Sequence, residues 1–196
     1  MPYQSLHSST FKLTLEVPQK YVDKFDYVVS GVRRRLAAMA NNMDESIGVI
    51  IERLHSRGML DNSVVIFVSD NGGDPLQHVG NGGSNYPLRG TKFGLFEGGI
   101  RVPAFIWSPL LNKSGYVSNA LIHVTDLLPT ILDAINGTGI RNENNIYGIS
   151  HWATLSNNKR PVRTELLHNI DPIWNMSAIR YYDYKLVKST GPVNSS

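Results

Sequence analysis

A continuous run of β-branched and aromatic residues at positions 64–68 restricts the fold more than any other feature of the sequence. The run, Val64-Val65-Ile66-Phe67-Val68, shows no polar alternation, whereas a strand with one face in water alternates apolar and polar residues. It therefore predicts a strand that is covered on both faces, as in the parallel sheets of α/β proteins.

A long amphipathic segment precedes this run. Its apolar residues recur at steps of three and four, which places them on one face of a helix. They are Val29, Val32, Leu36, Met39, Met43, Ile47, Ile50 and Leu54. We expect the helix to end near Arg57-Gly58, because glycine readily adopts the left-handed conformation of a helix cap. A helix followed by a buried strand predicts an α/β fold.

The rest of the chain contains shorter predicted elements. Residues 70–90 are rich in Gly, Asn and Ser and follow neither period, so they predict a long loop of the kind that is often functional. Residues 102–107 predict a second buried strand, and residues 125–135 predict a short helix capped by Thr125 with Pro129 in its first turn. Residues 178–182 and 184–187 predict two strands of a small antiparallel unit.

Composition and charge exclude several classes of protein. With 41% hydrophobic residues, 196 residues suffice for a core, which excludes overall disorder. A net charge of +3 is too small to indicate a nucleic-acid partner. The longest apolar run falls far short of the roughly 20 residues that span a bilayer, so no membrane span is expected. Residues 1–7 lack the features of a secretory signal. Without cysteine, this chain has no disulfide, thiolate metal site or cysteine nucleophile.

The sequence places two oxygen-bearing side chains directly after the predicted strand. Asp70 and Asn71 stand in Ser69-Asp70-Asn71-Gly72-Gly73, and the carboxyl ends of strands are where α/β sheets gather ligands. A carboxylate beside an amide oxygen suits Ca²⁺ or Mg²⁺ better than Zn²⁺. The same residues also make an ordinary turn, so both interpretations stay open at this point.

Two cationic candidates lie on either side of this motif. Lys92 follows the glycine-rich loop, and if the loop folds back, its ammonium group can act as a point charge on a sulfate or phosphate oxygen. Taken alone, a lysine at this position is more often a solvated loop lysine than a ligand-binding one. His7 lies in an extended N-terminal segment, where a lone histidine is usually structural.

Seven blocks, in order along the chain, together resemble the sulfatase family, and within it the arylsulfatase B (N-acetylgalactosamine-4-sulfatase) group with its arylsulfatase I and J relatives. They are Gln4-Ser5-Leu6-His7 with Val17-Pro18, Met43-Asp44-Glu45-Ser46-Ile47-Gly48, Phe67-Val68-Ser69-Asp70-Asn71-Gly72-Gly73, Asn85-Tyr86-Pro87-Leu88-Arg89-Gly90-Thr91-Lys92, Glu97-Gly98-Gly99-Ile100-Arg101-Val102-Pro103, Asp126-Leu127-Leu128-Pro129-Thr130 and Glu165-Leu166-Leu167-His168-Asn169-Ile170-Asp171-Pro172.

This resemblance implies a fold and a set of roles. The fold would be the C-terminal part of an alkaline-phosphatase-like α/β/α sandwich at residues 1–146, followed by the start of a small antiparallel subdomain at residues 147–196. Asp70 and Asn71 match two Ca²⁺ ligands of the family, and Lys92 matches the lysine that binds sulfate. His7 matches the histidine near the ester oxygen, where it would stabilise or protonate the leaving alcohol.

The resemblance also implies what this chain lacks. Sulfatases convert the cysteine of a Cys-x-Pro-Ser-Arg motif to formylglycine, whose hydrate attacks sulfur, and this chain contains neither cysteine nor that motif. The first aspartate pair of the Ca²⁺ site and the Lys-x-His pair of the sulfate pocket are also absent. We therefore expect the C-terminal portion of a sulfatase that hydrolyses sulfate esters, for example of glycosaminoglycan sugars, and no turnover by the isolated chain.

Two alternatives remain. The chain could be an inactive sulfatase-like protein that binds sulfated glycans or a partner. A phosphoester hydrolase of the same superfamily is the other, although the blocks at residues 87–92 and 97–103 argue against it.

The resemblance further implies a lysosomal or secreted protein. Four Asn-x-Ser/Thr sequons agree with this location as glycosylation candidates, at Asn112, Asn136, Asn175 and Asn194. Unmodified surface asparagines are the alternative at each position.

Overall fold

The computed structural model describes residues 1–9, 14–76, 80, 82–137 and 147–188. These residues form two compact units. The first consists of residues 1–60 and 68–103, and the second of residues 61–67 together with the described residues from 104 to 188. The predicted domain boundary at residue 146 adjoins residues outside the described ranges and stays a prediction.

The first unit is built around the predicted long helix. A short helix, α1 (Gln19–Val22), precedes helix α2, which spans Gly31–Ser56. Tyr21 and Val22 of α1 pack with Ala38 of α2 in a small core. The helix starts later than its apolar pattern suggested, because the Ser30 side chain accepts a hydrogen bond from the Arg33 N–H and caps it, leaving Val29 95% exposed.

The end of helix α2 agrees with the sequence. Gly58 follows the last turn with a φ of +64°, the left-handed conformation that favours glycine. Its N–H donates to the carbonyl of His55 at 2.9 Å, and the N–H of Met59 donates to the carbonyl of Leu54 at the same distance. Further along the first unit, a short helix α3 spans Glu97–Ile100.

The two predicted buried strands are present but are less covered than expected. Strand β1 (Val65–Val68) and strand β2 (Ala104–Trp107) are hydrogen-bonded neighbours in a two-stranded sheet. The rings of Phe67 and Phe105 stack with their centroids 5.5 Å apart. However, Val68 at the end of β1 is 45% exposed, and Phe105 and Trp107 of β2 are 52% and 42% exposed, so the prediction of strands covered on both faces is wrong for the chain as described. The apolar run shows which residues can be buried, but not whether neighbouring structure covers them.

The helix predicted at residues 125–135 is present as α4 (Leu127–Ala134), with Pro129 in its first turn as expected. The predicted cap at Thr125 is wrong. A 3-10 turn at Val124–Asp126 precedes the helix, and His123 caps that turn by accepting the Thr125 N–H. The Asp126 carboxylate in turn accepts the His123 N–H at 2.9 Å, which closes a reciprocal capping box. Helix α5 (Trp152–Asn157) follows in the second unit.

The small antiparallel unit is confirmed and has one more strand than predicted. Its strands are β3 (Glu165–Asp171), β4 (Met176–Tyr181) and β5 (Tyr184–Lys188), hydrogen-bonded in that order. One face is covered, since Leu166 is 5% and Ala178 is 3% exposed. The opposite face presents apolar side chains to solvent.

No helix among the described residues is long and apolar enough to cross a membrane.

Candidate functional site

Asp70 and Asn71 lie in a tight loop that begins two residues after strand β1. One carboxylate oxygen of Asp70, Oδ1, accepts the Asn71 N–H at 2.9 Å. The Nδ2 amide group of the Asn71 side chain donates a hydrogen bond to the Gly72 carbonyl at 2.8 Å. These two bonds are typical of a turn, and they use only one carboxylate oxygen of Asp70 and the amide nitrogen of Asn71. The second carboxylate oxygen and the Asn71 amide oxygen are the atoms left to a cation, and both are hard donors that suit Ca²⁺.

Two side chains alone do not complete a Ca²⁺ coordination sphere, which takes 6–8 oxygen ligands. Among the described residues, no group of three or more His, Cys, Asp or Glu side chains is arranged to hold a metal ion. The donor chemistry of Asp70 and Asn71 fits the cation, whereas the described part of the chain offers too few acidic side chains to enclose one.

Backbone-to-backbone packing holds the Asp70 loop in place. The Gly72 N–H donates to the Gly99 carbonyl at 2.9 Å, and the Gly98 N–H donates to the Arg89 carbonyl at 2.7 Å. A Cβ atom on Gly72 would lie 1.8 Å from the Gly98 carbonyl oxygen, so no side chain fits there. The Gly-Gly pairs of two of the sequence blocks therefore exist to let three backbone segments touch.

Lys92 is hydrogen-bonded to the same loop through its backbone. Its N–H donates to the Gly73 carbonyl at 2.9 Å, so the glycine-rich loop does fold back on the segment that carries Asp70. The ammonium group lies 5.5 Å from the centroid of the Phe93 ring, a cation–π contact that holds the long side chain along an aromatic surface. The segment carrying Lys92 and the loop carrying Asp70 and Asn71 are thus joined within the first unit.

His7 lies on the surface of the same unit, and its hydrogen bonds stay within its own segment. Its N–H donates to the Gln4 carbonyl at 2.9 Å, and Nδ1 lies 2.7 Å from the Ser8 carbonyl oxygen. A carbonyl only accepts, so Nδ1 carries a proton, and in the neutral ring Nε2 is then the basic nitrogen. The hydrogen bonds of the described residues join Lys92 to the Asp70 loop but do not join His7 to either.

A buried charged network in the second unit was not identified from the sequence. Both side-chain oxygens of Asp126 are paired with the guanidinium group of Arg163, with Nε donating to Oδ2 at 2.8 Å. The N–H of His123 and the N–H of Ile149 also donate to this carboxylate. His151 Nε2 lies 3.3 Å from Asp126 Oδ2, and Asp126 and His151 have fully buried side chains.

The environment shifts the pKa values of all three groups. Burial alone raises the pKa of Asp126, but the Arg163 guanidinium and two backbone N–H groups outweigh it and hold that pKa below its usual 3.8. Burial lowers the pKa of His151 below 6.5, although the Asp126 charge opposes this effect. The hydrogen bond to Asp126 raises the pKa of Arg163. His151 is therefore neutral at pH 7, and Asp126 and Arg163 form a buried ion pair.

Of the three residues of this network, the sequence points to one, Asp126. Asp126 stands in one of the seven blocks, whereas its partners come 25 and 37 residues later in segments without a periodic pattern. The network joins the start of α4 to the residues before α5 and before β3, so its place in the structure indicates a role in stability.

The structure describes three of the four glycosylation candidates, and all three are exposed. Asn175 lies in the turn between β3 and β4, and Asn136 follows helix α4. Asn112 donates through its side-chain nitrogen to Asn157 Oδ1 at 2.9 Å, a bond that an attached glycan would compete with. Asn194 lies outside the described residues.

Comparison with known proteins identifies relatives of this chain. The sulfatase family profile matches residues 4–138. Mouse arylsulfatase J is 38% identical over 203 residues, an alignment that covers 94% of this chain and 32% of that protein. Human N-acetylgalactosamine-6-sulfatase is 37% identical over 123 residues, covering 63% of this chain and 23% of that protein. The chain thus spans about a third or less of the length of these curated relatives.

Solved structures share the fold. The crystal structure of Ps i-CgsB in complex with k-i-k-neocarrahexaose superposes with a TM-score of 0.80 at 24% identity, covering 95% of this chain and 40% of that one. The PsFucS1 sulfatase from Pseudoalteromonas sp. superposes with a TM-score of 0.69 at 28% identity, covering 88% of this chain and 33% of that one. The alkaline-phosphatase-like α/β fold expected from the sequence is confirmed.

Proposed function

Because this chain belongs to the sulfatase family, we propose that it forms part of a sulfuric ester hydrolase that acts on sulfated carbohydrates. The single observation that carries the proposal is the Lys92 N–H···O=C Gly73 hydrogen bond of 2.9 Å. It joins the segment of the proposed sulfate-binding lysine to the loop of the proposed metal ligands. The two kinds of group that would neutralise a sulfate ester therefore belong to one hydrogen-bonded assembly of backbone segments.

Each proposed residue has one task in sulfate ester hydrolysis. Asp70 and Asn71 would hold Ca²⁺ through side-chain oxygens, and the bound cation supplies charge neutralisation at the sulfate oxygens. Lys92 would bind a sulfate oxygen as a point charge and stabilise the charge that develops there. His7 would donate a proton from its ring to the alcohol oxygen as the S–O ester bond breaks.

The nucleophile is not among the residues of this chain. Formylglycine in sulfatases comes from cysteine, and this sequence contains none. We therefore expect the isolated chain to bind Ca²⁺ and sulfate weakly and to turn over no aryl sulfate above background. A family-like rate of p-nitrophenyl sulfate hydrolysis by the purified chain would contradict this expectation.

Sulfate binding tests the proposed site directly. We would titrate inorganic sulfate into the ¹⁵N-labelled chain in the presence of CaCl₂ and follow the amide resonances by NMR. We expect shifts at Asn71, Gly73 and Lys92 in the wild type and their loss in Lys92→Ala. Lys113→Ala is the matched control, because Lys113 is an exposed lysine of the second unit. Sulfate-dependent shifts that persist in Lys92→Ala would exclude the proposed site.

A sulfated amino sugar is the substrate class that we favour. One relative supports it by name, the human N-acetylgalactosamine-6-sulfatase, whereas the name of mouse arylsulfatase J supports only the hydrolysis of a sulfate ester. Residence in lysosomes or secretion is part of the same proposal. Endoglycosidase treatment of the chain expressed in a secretory host would test it through a mass loss that the quadruple variant Asn112→Gln, Asn136→Gln, Asn175→Gln, Asn194→Gln lacks.

A second candidate function is a sulfatase-like protein that binds sulfated glycans without cleaving them, and the bond between the Lys92 segment and the Asp70 loop favours it, because binding a sulfate group needs no nucleophile. This candidate requires the 196 residues to fold alone. A single cooperative thermal transition together with retention on heparin–agarose would support it. An aggregated chain, or one that heparin–agarose does not retain, would exclude it.

A further inference from the structure

The side chain of Asn85 connects the two parts of the proposed site. Its Oδ1 accepts the Gly73 N–H at 2.7 Å. Its Nδ2 donates to the carbonyl of Gly73 and to the carbonyl of Gly90, both at 2.9 Å. Gly73 lies two residues after Asn71, and Gly90 lies two residues before Lys92. One amide side chain therefore holds both loops close to the residues that the proposed function uses.

We propose that Asn85 is a positioning residue, which sets where Lys92 stands relative to the Asp70-Asn71 loop. This inference rests on the proposed function for its purpose but not for its geometry. The Gly73 carbonyl accepts from both Asn85 Nδ2 and the Lys92 N–H, each at 2.9 Å. Removal of the Asn85 amide would leave the single Lys92 N–H bond as the direct hydrogen bond between the two segments among the described residues.

The chemistry of the contact requires an amide at position 85. Two of its partners are carbonyl oxygens, which need a donor, and the third is an N–H group, which needs an acceptor. Aspartate keeps the acceptor and loses both donors, whereas alanine loses all three. Close approach is already tight, because a Cβ atom on Gly73 would lie 3.1 Å from Asn85 Oδ1. The glycine at position 73 and the asparagine at position 85 thus form one fitted pair.

Gly90 supports the same arrangement from the other side. Its φ of +95° is in the left-handed region, where a side chain is strained. This conformation lets its carbonyl face the Asn85 amide while the chain turns toward Lys92. A Cβ atom at Gly90 would also lie 2.5 Å from Cβ of Phe96, so the position has no room for another residue.

Amide hydrogen exchange, measured by NMR on the ¹⁵N-labelled chain, tests the geometry without any ligand. In Asn85→Ala we expect the Gly73 and Lys92 amides to exchange about tenfold faster than in the wild type, because the Gly73 N–H loses its acceptor and the remaining Lys92 N–H bond loses the Asn85 bonds that hold the two segments together. In Asn85→Asp the Gly73 N–H keeps its acceptor, so only the Lys92 amide should accelerate. Asn119→Ala is the control, since Asn119 is an exposed asparagine of the second unit.

Sulfate titration in the presence of CaCl₂ tests whether this positioning serves sulfate binding by Lys92. In Asn85→Asp the sulfate-dependent change in the Lys92 amide shift should be at least about fivefold smaller than in the wild type. The midpoint of urea unfolding of this variant should equal that of Asn119→Ala. A general loss of protection in Asn85→Ala would mean that this variant unfolds, and Asn85→Asp then decides. Exchange within twofold of wild type at Lys92 in Asn85→Asp would overturn the proposal. If the wild type shows no sulfate shift, the proposed function fails, and the exchange rates still decide whether Asn85 positions Lys92.

Discussion

At the residue scale, the Asp126–Arg163 pair shows how strongly one buried contact constrains a fold. The Asp126 side chain is fully buried and that of Arg163 is 7% exposed, so neither charge has water to replace a lost partner. A buried ion pair contributes little net free energy compared with an apolar pair, but loss of one partner leaves an uncompensated charge. The pair therefore adds little to the free energy of unfolding, but removal of one partner is expected to lower it strongly.

We expect Asp126→Ala to lower the free energy of unfolding by about 3–5 kcal/mol, because it strands the Arg163 charge in the interior. Urea denaturation followed by circular dichroism measures the change. Asp44→Ala is the matched control, since Asp44 is exposed on helix α2. A change for Asp126→Ala no larger than that of the control would show that Arg163 is solvated in solution.

His151 gives stability a pH dependence with a defined sign. Burial lowers the pKa of His151 below 6.5, so the unfolded chain binds a proton there that the folded chain does not. Stability from this group is therefore complete above pH 6.5 and falls as the pH drops below it, by up to about 1.4 kcal/mol per pH unit. Asp126 adds a second loss below pH 3.8, where its lowered pKa favours the ionised folded form.

Urea denaturation between pH 7.5 and pH 5 checks this expectation. His151→Gln should flatten the pH dependence in that range, because glutamine does not titrate. His55→Gln, at an exposed position of helix α2, should leave the slope as it is in the wild type. Equal slopes in the wild type and His151→Gln would assign the pH dependence to other groups.

At the element scale, a glycine inside helix α2 and a glycine just after its end are expected to respond oppositely to the same substitution. Gly48 lies inside the helix, and a Cβ atom there would meet no atom within 4 Å. Gly58 has equally open space around it, but its φ of +64° requires the left-handed conformation. Space is thus the same at both positions, and only the backbone conformation differs.

We expect Gly48→Ala to raise the free energy of unfolding by about 0.5–1 kcal/mol, because alanine is the better helix former. Gly58→Ala should lower it by about 1–2 kcal/mol, because alanine is strained in the left-handed region. Chemical denaturation of both variants measures the pair. Changes of the same sign would mean that the helix does not end at Gly58 in solution.

The glycines of the candidate site differ from those of the helix. Gly72 and Gly98 allow backbone segments to touch, and a Cβ atom at either would lie within 2.2 Å of a carbonyl oxygen. The sequence displayed these residues as Gly-Gly pairs but could not say which segments they bring together. Only the folded backbone distinguishes such a glycine from one in an ordinary turn.

At the scale of the whole molecule, one face of the three-stranded sheet in the second unit presents apolar side chains to solvent. Cross-strand pairing aligns Leu167 with Ile179 and Ile179 with Leu186 on that face. Leu186 is 71% exposed and Tyr184, paired with Tyr181, is 82% exposed. An exposed apolar surface of this kind promotes association in water.

We expect the isolated chain to self-associate at micromolar concentration and Leu186→Lys to reduce the association. Light scattering against protein concentration measures the effect. Val117→Lys is the charge-matched control, since Val117 is 88% exposed and lies outside the sheet. If both variants reduce scattering equally, the added charge and not the sheet face controls association.

The sequence by itself determined the elements whose cause is local. Apolar periodicity and the Gly58 cap defined helix α2, five consecutive apolar residues defined β1, and the order of short motifs defined the sulfatase family. It also proposed Asp70, Asn71, Lys92 and His7, whose roles remain predictions. Each of these inferences needs only neighbours in the chain, because helical spacing, strand propensity and motif order are properties of adjacent residues.

Only the tertiary structure decided what depends on distant residues. It joined Asn85 to Gly73 and Gly90, placed Arg163 against Asp126, and left β2 partly exposed although its sequence is apolar. Hydrogen-bond partners and burial are set by which segments meet in space, and segments separated by 12 or 37 residues carry no local signal of their meeting. That is the physical reason why composition and periodicity predicted the elements, while the contacts between them required the fold.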